Sequence, residues 1–379
     1  MYLLEHDAKE ILSTQGIPCP PGLLVENIDA LNASPLPPGP WIVKGQVASG
    51  GRGKAGAIQK AATVAEIRTH VTSIIGSKVR GLTVEAARVE QTVDSAKEVY
   101  LGFLLDPASA QVRIILSERG GVDIERVPRE HIHSALAKAD ASALVATVNH
   151  LSERLSRDVG KALREAAERV AQAFLTLEAL LIEINPLFIR PDGSWVAGDA
   201  KLVTDDNALS RQPILCALLE RRSDSYPETA LKLRHGFDYV VVDPEGEIAL
   251  LTTGAGLSMM LIDEMREAGL KPYNFLDIRT GGLRGETERL VHVLNWMAQG
   301  RRVRVLLINI FAGITDLAEF SRLLVTALDA VPQLKVPVVA RLVGNGLPAA
   351  REVLASAGIT LHTDLEAALA EVRKHLARA

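Results

Sequence analysis

Cysteine is scarce in this 379-residue chain: there are two, Cys19 and Cys216, and neither sits in a Cys-x-x-Cys or Cys/His spacing. That excludes a disulfide framework and a cysteine metal site, and a reducing cytoplasm is expected. Charge of one sign is also lacking. A net charge of −4 offers no footprint for nucleic acid or an acidic membrane. No segment reaches about 18 consecutive apolar residues, and Met1-Tyr-Leu-Leu-Glu-His-Asp-Ala-Lys-Glu10 has neither the basic start nor the apolar run of a signal peptide. Neither secretion nor membrane insertion is therefore expected. The P-loop fingerprint Gly-x-x-x-x-Gly-Lys-Ser/Thr is missing, as are internal repeats and low-complexity tracts. Hydrophobic residues at 47% and charged residues at 23% are ordinary globular values. The length implies two or three domains that bury roughly three quarters of the unfolded surface.

The most informative stretch is Gly45-Gln-Val-Ala-Ser-Gly-Gly-Arg-Gly-Lys-Ala-Gly56, directly after the buried-strand pattern Trp41-Ile-Val-Lys44. Glycines at 50, 51, 53 and 56 let the backbone fold closely over a ligand and present its N–H groups. Lys44, Arg52 and Lys54 add positive charge. Strand, glycines and cations together describe a polyphosphate-holding loop.

An opening helix is expected from Leu3 to Gln15, stopped by Gly16 and Pro18. Short strands and helices then alternate from Trp41 to Ser117. Apolar residues at 155, 159, 163, 170, 174 and 177 predict one long helix over 151–177. Ala179–Ile189, the turn Pro191-Asp-Gly-Ser194 and Trp195–Leu202 form a β-hairpin. The polar, breaker-containing segment Arg221–Glu228 marks an interdomain linker, giving domains 1–230 and 231–379. The second domain's strands are expected at Tyr239–Val242, Ile248–Thr252, Tyr273–Asp277, Val303–Ile310, Val336–Leu342 and Ile359–His362. Most are separated by helix-length segments, which implies a mostly parallel sheet with helices on both faces.

Alternation in the hairpin puts Glu183 and Asn185 on one face, and the turn brings Asn185 opposite Asp199 to within one residue. Three oxygen-bearing side chains so arranged suit Mg²⁺, which takes one or two protein oxygens and completes its shell with phosphate and water. Glu90 and Glu98 read by themselves as solvated charges, and Glu130-His-Ile-His133, lacking a third ligand, as an exposed loop. The turn Thr252-Thr-Gly-Ala-Gly-Leu-Ser258 ends a strand and opens a helix, where open α/β sheets bind anions. Asp277-Ile-Arg-Thr-Gly-Gly282 and Asn309-Ile-Phe-Ala-Gly-Ile-Thr-Asp316 are two further strand ends of that kind. Together they describe a second, shallow anion site.

With these motifs in order, the chain resembles the β subunit of ADP-forming succinyl-CoA synthetase and its relatives, such as malate–CoA ligase. The resemblance is carried by Lys44, Gly50-Gly-Arg-Gly-Lys-Ala-Gly56, Lys97-Glu-Val-Tyr-Leu-Gly102, Ile182-Glu-Ile-Asn-Pro-Leu187 and Asp199-Ala-Lys201. Asp206-Asn-Ala-Leu209, Gly254-Ala-Gly-Leu257, Asn274-Phe-Leu-Asp277 and Asn309-Ile-Phe311 continue it over nearly the whole chain. It implies an α/β protein, an ATP-grasp domain followed by a flavodoxin-like, Rossmann-like parallel-sheet ligase domain. It makes Lys44, Gly51, Arg52, Gly53, Glu90 and Glu98 the nucleotide contacts, and Asn185 and Asp199 the Mg²⁺ ligands. Glu183 becomes the carboxylate that orients a phosphohistidine belonging to a separate, CoA-binding α subunit. None of the nine histidines here occupies such a motif. ATP is expected rather than GTP, partly from Pro20, although Ala48-Ser49 stands where the family carries a His.

The acid site implied by the resemblance comprises Thr253, Gly254, Arg279, Gly313, Ile314 and Thr315. Here the chain departs from the family pattern: Thr253 replaces an Asn, Arg279-Thr-Gly-Gly-Leu283 a Gly-Gly-Gly, and Ala312-Gly-Ile-Thr-Asp316 a Gly-Gly-Ile-Val or Gly-Ile-Asn. A lost amide and a gained guanidinium alter which anion fits, so the substrate is expected to be a small acid, succinate or a variant such as malate or a sulfo-acid. Two other readings remain: a single-chain ATP-grasp carboxylate–amine ligase, and a non-catalytic nucleotide-binding subunit.

Overall fold

The computed structural model describes residues 1–278, 287–313 and 315–378, and the chain divides into two compact units, Met1–Arg221 and Arg222–Ala379. The division falls at the head of the polar Arg221–Glu228 segment. In chain order the first unit opens with α1 (Glu5–Thr14), β1 (Gly22–Val25), α2 (Ile28–Ala33), β2 (Trp41–Gln46), β3 (Ile58–Ala61) and α3 (Val64–Ile74). The short pair β4 (Lys78–Val79) and β5 (Leu82–Thr83) precedes β6 (Ala86–Gln91), β7 (Lys97–Asp106), β8 (Gln111–Ser117) and β9 (His133–Ala137). Then come α4 (Ala141–Ser152), α5 (Arg157–Thr176), β10 (Ala179–Ile189), β11 (Trp195–Ala197), β12 (Ala200–Thr204) and α6 (Pro213–Arg221).

Two antiparallel sheets result, one in the order β1-β6-β2-β3 and one in the order β11-β10-β7-β8-β9, with β12 also on β10. The first sheet packs Val43, Val89 and Ala87 against Ile67 and Val71 of α3. The long helix expected over 151–177 is α5, which starts later than expected, at Arg157, while Leu151 and Ser152 close α4. α4 ends at Ser152, and the chain reverses so that Arg164 Nη1 donates to Ser152 Oγ at 2.8 Å. Gly160 permits the close approach, since a Cβ there would lie 2.9 Å from the Ser152 carbonyl oxygen. The periodicity of 151–177 could not reveal the break, because Leu151 and Leu163 are both buried, on different helices.

The hairpin has a built irregularity. Pro186 lacks an N–H, and the β10 ladder to β7 shifts register between Ile184 and Leu187. Opposite the shift, Gly198 and Asp199 interrupt β11 and β12, and the Asn185 N–H donates to the Asp199 carbonyl at 3.3 Å. Gly198 is required there, because a Cβ would sit 2.3 Å from the Phe188 ring. The break places Asn185 and Asp199 side by side at one point of the sheet.

The second unit comprises α7 (Pro227–His235), β13 (Asp238–Val241), β14 (Ile248–Thr252), α8 (Ala255–Glu267), β15 (Asn274–Asp277) and α9 (Glu288–Met297). It continues with β16 (Val305–Ala312), α10 (Leu317–Asp329), β17 (Val338–Gly344), α11 (Leu347–Ser356), β18 (Thr360–His362) and α12 (Leu365–Arg378). β14, β16, β17 and β18 form a parallel sheet in that order. Its alternate residues feed two cores: Ile248, Leu250, Val305 and Leu307 face one way with Leu261 and Val372, while Ala249, Leu251, Leu306 and Ile308 face the other with Leu294 and Phe320. That is a strand pattern buried on both faces.

The sheet is mostly parallel as expected; the antiparallel exception is the pair β13 and β15. Buried Asn274 stitches this ribbon to β14: its Oδ1 accepts from the Leu250 N–H and its Nδ2 donates to the Leu250 carbonyl, both at 2.9 Å. The side-chain amide thus does the work of a neighbouring strand's peptide group.

Candidate active site

The Gly-rich loop leaves the sheet at the end of β2 and coils on itself, with Ala55 N–H donating to the Gly51 carbonyl at 3.2 Å and Ala57 N–H to the Arg52 carbonyl at 3.0 Å. It forms one wall of a cavity of about 530 Å³. Gly50, Gly51, Arg52, Gly53 and Lys54 line that wall; Glu183, Asn185, Asp199 and Lys201 line the hairpin wall, and Asp123 and Arg126 the rim. Cβ atoms on Gly50 or Gly53 would meet nothing within 4 Å, so side chains there would fill the space in front of the loop.

Glu183, Asn185 and Asp199 therefore come together as the hairpin pattern requires. Asn185 Oδ1 accepts from the Gly121 N–H at 2.8 Å and its Nδ2 donates to the Val122 carbonyl at 2.9 Å, which fixes the amide's orientation. Glu183 lies opposite Lys201 and is hydrogen-bonded to Tyr100. Burial pushes its carboxyl above the usual range, with Lys201 and Tyr100 acting against the rise. Burial likewise raises Asp199, opposed chiefly by the Arg52 guanidinium, whose Nη2 donates to Asp199 Oδ2 at 2.6 Å.

Lys44 and Glu90 lie behind the wall rather than on it, 5% and 2% exposed. Lys44 Nζ donates to Glu5 Oε1 and Glu90 Oε1, both at 2.9 Å, and to the Gly198 carbonyl at 2.7 Å. Lys9 Nζ donates to Glu90 Oε2 at 2.6 Å and to the same carbonyl at 2.8 Å, and Arg88 Nε reaches Glu90 Oε2 at 2.7 Å. Burial alone would lower the Lys44 ammonium, but Glu5 and Glu90 outweigh it and hold it above its ordinary value. Glu98 is exposed at the start of β7, beside Gly121.

Glu5, Lys9, Arg88 and Tyr100 were not singled out by sequence. α1 forms where the opening helix is expected, but Glu5, His6, Asp7 and Lys9 are all buried on it. Their partners lie up to 189 residues away.

In the second unit, Thr252 of β14 stands in register with Asn309 of β16, so Thr253–Gly254 and Gly313 follow the carboxyl ends of adjacent parallel strands. Gly254 adopts φ +84° at the start of α8, and its N–H donates to Asp277 Oδ1 at 2.8 Å. Asp316 caps α10 through the Ala318 and Glu319 N–H groups. Thr315 is half-buried, whereas Arg279 and Ile314 lie outside the described residues.

Residues 2–189 match the ATP-grasp domain family and residues 251–374 the CoA-ligase family. The chain is 36% identical to the succinate–CoA ligase [ADP-forming] β subunit of Chloroflexus aurantiacus, over 99% of this chain and all of the relative. This chain belongs to the succinate–CoA ligase β-subunit family. It is accordingly a CoA ligase β subunit, an enzyme of the acid–thiol ligase class, with an ATP-grasp domain followed by a parallel-sheet ligase domain. Another family member, the succinate–CoA ligase [GDP-forming] β subunit of Thermus thermophilus, is 36% identical, with 98% of each chain covered. The fold is shared beyond the family by ATP citrate lyase from Methanothrix soehngenii, at a TM-score of 0.72 and 19% identity over 95% of each chain. Among the described residues no helix is long and apolar enough to cross a membrane.

Proposed function

We propose that this chain is the nucleotide-binding subunit of a cytoplasmic, heteromeric acyl-CoA synthetase that converts a small acid, CoA and ATP into acyl-CoA, ADP and phosphate. The observation that carries the reading is the single cavity shared by the Gly50–Lys54 loop and by Glu183, Asn185 and Asp199. Backbone N–H groups of the loop and Arg52 would take the phosphates there, while Lys44 and Glu90 brace the wall from behind and Glu98 stands near Gly121. ATP is favoured over GTP, and relatives named for ADP and for GDP formation both exist.

The donor set fits Mg²⁺. Asn185 Oδ1 spends one lone pair on Gly121, Asp199 gives Oδ2 to Arg52, and each group retains acceptor capacity for a hard cation. Asn185 and Asp199 would hold the ion, which would neutralise phosphate charge. Glu183 would receive and orient the histidine of an α subunit. That imidazole attacks the terminal phosphorus in line and ADP leaves, so catalysis is chiefly positioning and electrostatics. The phosphoryl group then passes to the acid's carboxylate, and the CoA thiol displaces phosphate from the acyl phosphate.

The acid would bind at Thr253, Gly254, Arg279, Gly313, Ile314 and Thr315. The relatives are named for succinate; Thr253 and Arg279 favour a different anion, a sulfo-acid or a differently spaced dicarboxylate such as malate. Incubating this chain and its CoA-binding partner with ATP labelled in the terminal phosphate tests the proposal. Acid-labile label on a partner histidine is expected; a folded, associated pair that takes up none overturns it. Activity of this chain alone would instead identify a carboxylate–amine ligase.

A further inference from the structure

One carboxylate ties the N-terminal helix to the phosphate loop. Glu5 is 2% exposed at its side chain, and its Oε1 accepts from Lys44 Nζ at 2.9 Å and from Lys9 Nζ at 2.8 Å. Its Oε2 accepts from Arg52 Nη1 at 2.6 Å. The other terminal nitrogen of Arg52 donates to Asp199, also at 2.6 Å. The guanidinium fork is thus split between two carboxylates in unlike settings. Asp199 is 26% exposed at its side chain, beside Asn185 on the hairpin wall. A cation arriving at Asp199 competes with Arg52 for that group, whereas Glu5, a nearly buried residue of the cavity lining, keeps its hold on the other nitrogen.

Besides Glu5, Arg52 Nη1 has only a longer bond to a neutral acceptor, the Gly45 carbonyl at 3.3 Å, to set its direction among the described residues. Would-be Cβ atoms at Gly50 and Gly53 meet nothing within 4 Å, and Lys54 pairs with rim residue Asp123. Removing the Glu5 charge would also leave Lys9, Lys44 and Arg52 facing one another with less compensation, which favours displacement of Arg52, the most exposed of the three at 11%. We infer that Glu5 is a positioning residue for the nucleotide: it anchors Arg52 through Nη1 while Nη2 leaves Asp199 for a phosphate oxygen. This rests on the proposed nucleotide site and adds a residue of α1 to it.

A double-mutant cycle on the complex with its partner reads the coupling. MgATP dissociation constants are measured for wild type, Glu5→Gln, Arg52→Ala and the double variant, together with KM for ATP and for CoA. Loss of a charge-assisted anchor weakens ATP binding on the order of tenfold. Glu5→Gln is therefore expected to raise the ATP constant and KM by about that factor, leave KM for CoA unchanged, and add less than about twofold once Arg52 is Ala. An equal factor in both backgrounds, or wild-type ATP affinity in Glu5→Gln, overturns the inference. If Glu5→Gln does not fold, Glu5→Asp keeps the charge and withdraws the carboxylate; unchanged ATP affinity there overturns it equally. A wild-type complex that does not bind MgATP, or an Arg52→Ala complex that binds it as wild type does, refutes the nucleotide site itself.

Discussion

Replacing Glu90 by Gln separates two roles for a residue that stands in a nucleotide-binding pattern yet lies buried. Its carboxylate receives Lys9 at 2.6 Å, Arg88 at 2.7 Å and Lys44 at 2.9 Å. The cluster comprises four cations, Lys9, Lys44, Arg52 and Arg88, and three carboxylates, Glu5, Glu90 and Asp199, a formal excess of one positive charge. Gln has nearly the same shape but doubles that excess. Breaking a buried pair by removing one partner costs about 3–5 kcal/mol, against roughly 5–15 kcal/mol for a whole domain. The Gly198 carbonyl, which already accepts from both lysines, cannot replace an anion.

Urea unfolding followed by far-ultraviolet circular dichroism, with and without MgATP, measures the effect. The expected result is a loss near that magnitude in both conditions. An unchanged midpoint with weaker ATP binding would refute the buried-brace argument and return Glu90 to direct contact. Acid supplies a second check. Burial raises the Glu90 carboxyl, but Lys44 and Lys9 outweigh it and hold it below its ordinary value of 4.5. A depressed folded value stabilises above the unfolded one and is lost as pH falls through the folded one. The gap between wild type and Glu90→Gln should be full above about pH 4.5 and narrow below it.

Three further outcomes follow from the geometry. Asn274→Leu leaves the buried Leu250 N–H and carbonyl without their side-chain partner, costing roughly 2–6 kcal/mol at about 1–3 per group; a loss under about 1 kcal/mol in urea unfolding would contradict the stitching role. Gly120→Ala puts a Cβ 2.4 Å from the Val99 carbonyl oxygen, so the following turn must move off Asn185, lowering both melting temperature and ATP affinity; a variant matching wild type in both would contradict it. Asp199→Asn should weaken Mn²⁺ binding to the ATP-loaded chain by about tenfold or more, read by electron paramagnetic resonance, and an unchanged affinity would remove Asp199 from the metal site.

The chain's local patterns determined a great deal by themselves. Alternation in the hairpin placed Glu183, Asn185 and Asp199 at one point, because strand period and turn position are local geometry. The glycines of 50–56 announced a loop able to approach a ligand, and apolar runs such as Ile248–Thr252 announced strands buried on both faces. The break between α4 and α5 escaped the periodicity, since a reversal need not interrupt an apolar stripe. Antiparallel β13 and β15 escaped it too, since pairing direction belongs to neighbours and not to the strand.

Only the tertiary structure decided that Lys44 and Glu90 stand behind the cavity wall. Only it decided that Glu5, Lys9 and Arg88 complete their charges from a helix and a strand far away in the chain. Local sequence registers a charged side chain but not its counter-ion. Where burial makes compensation obligatory, the partner is chosen by the fold, and here that choice shapes the back of the site.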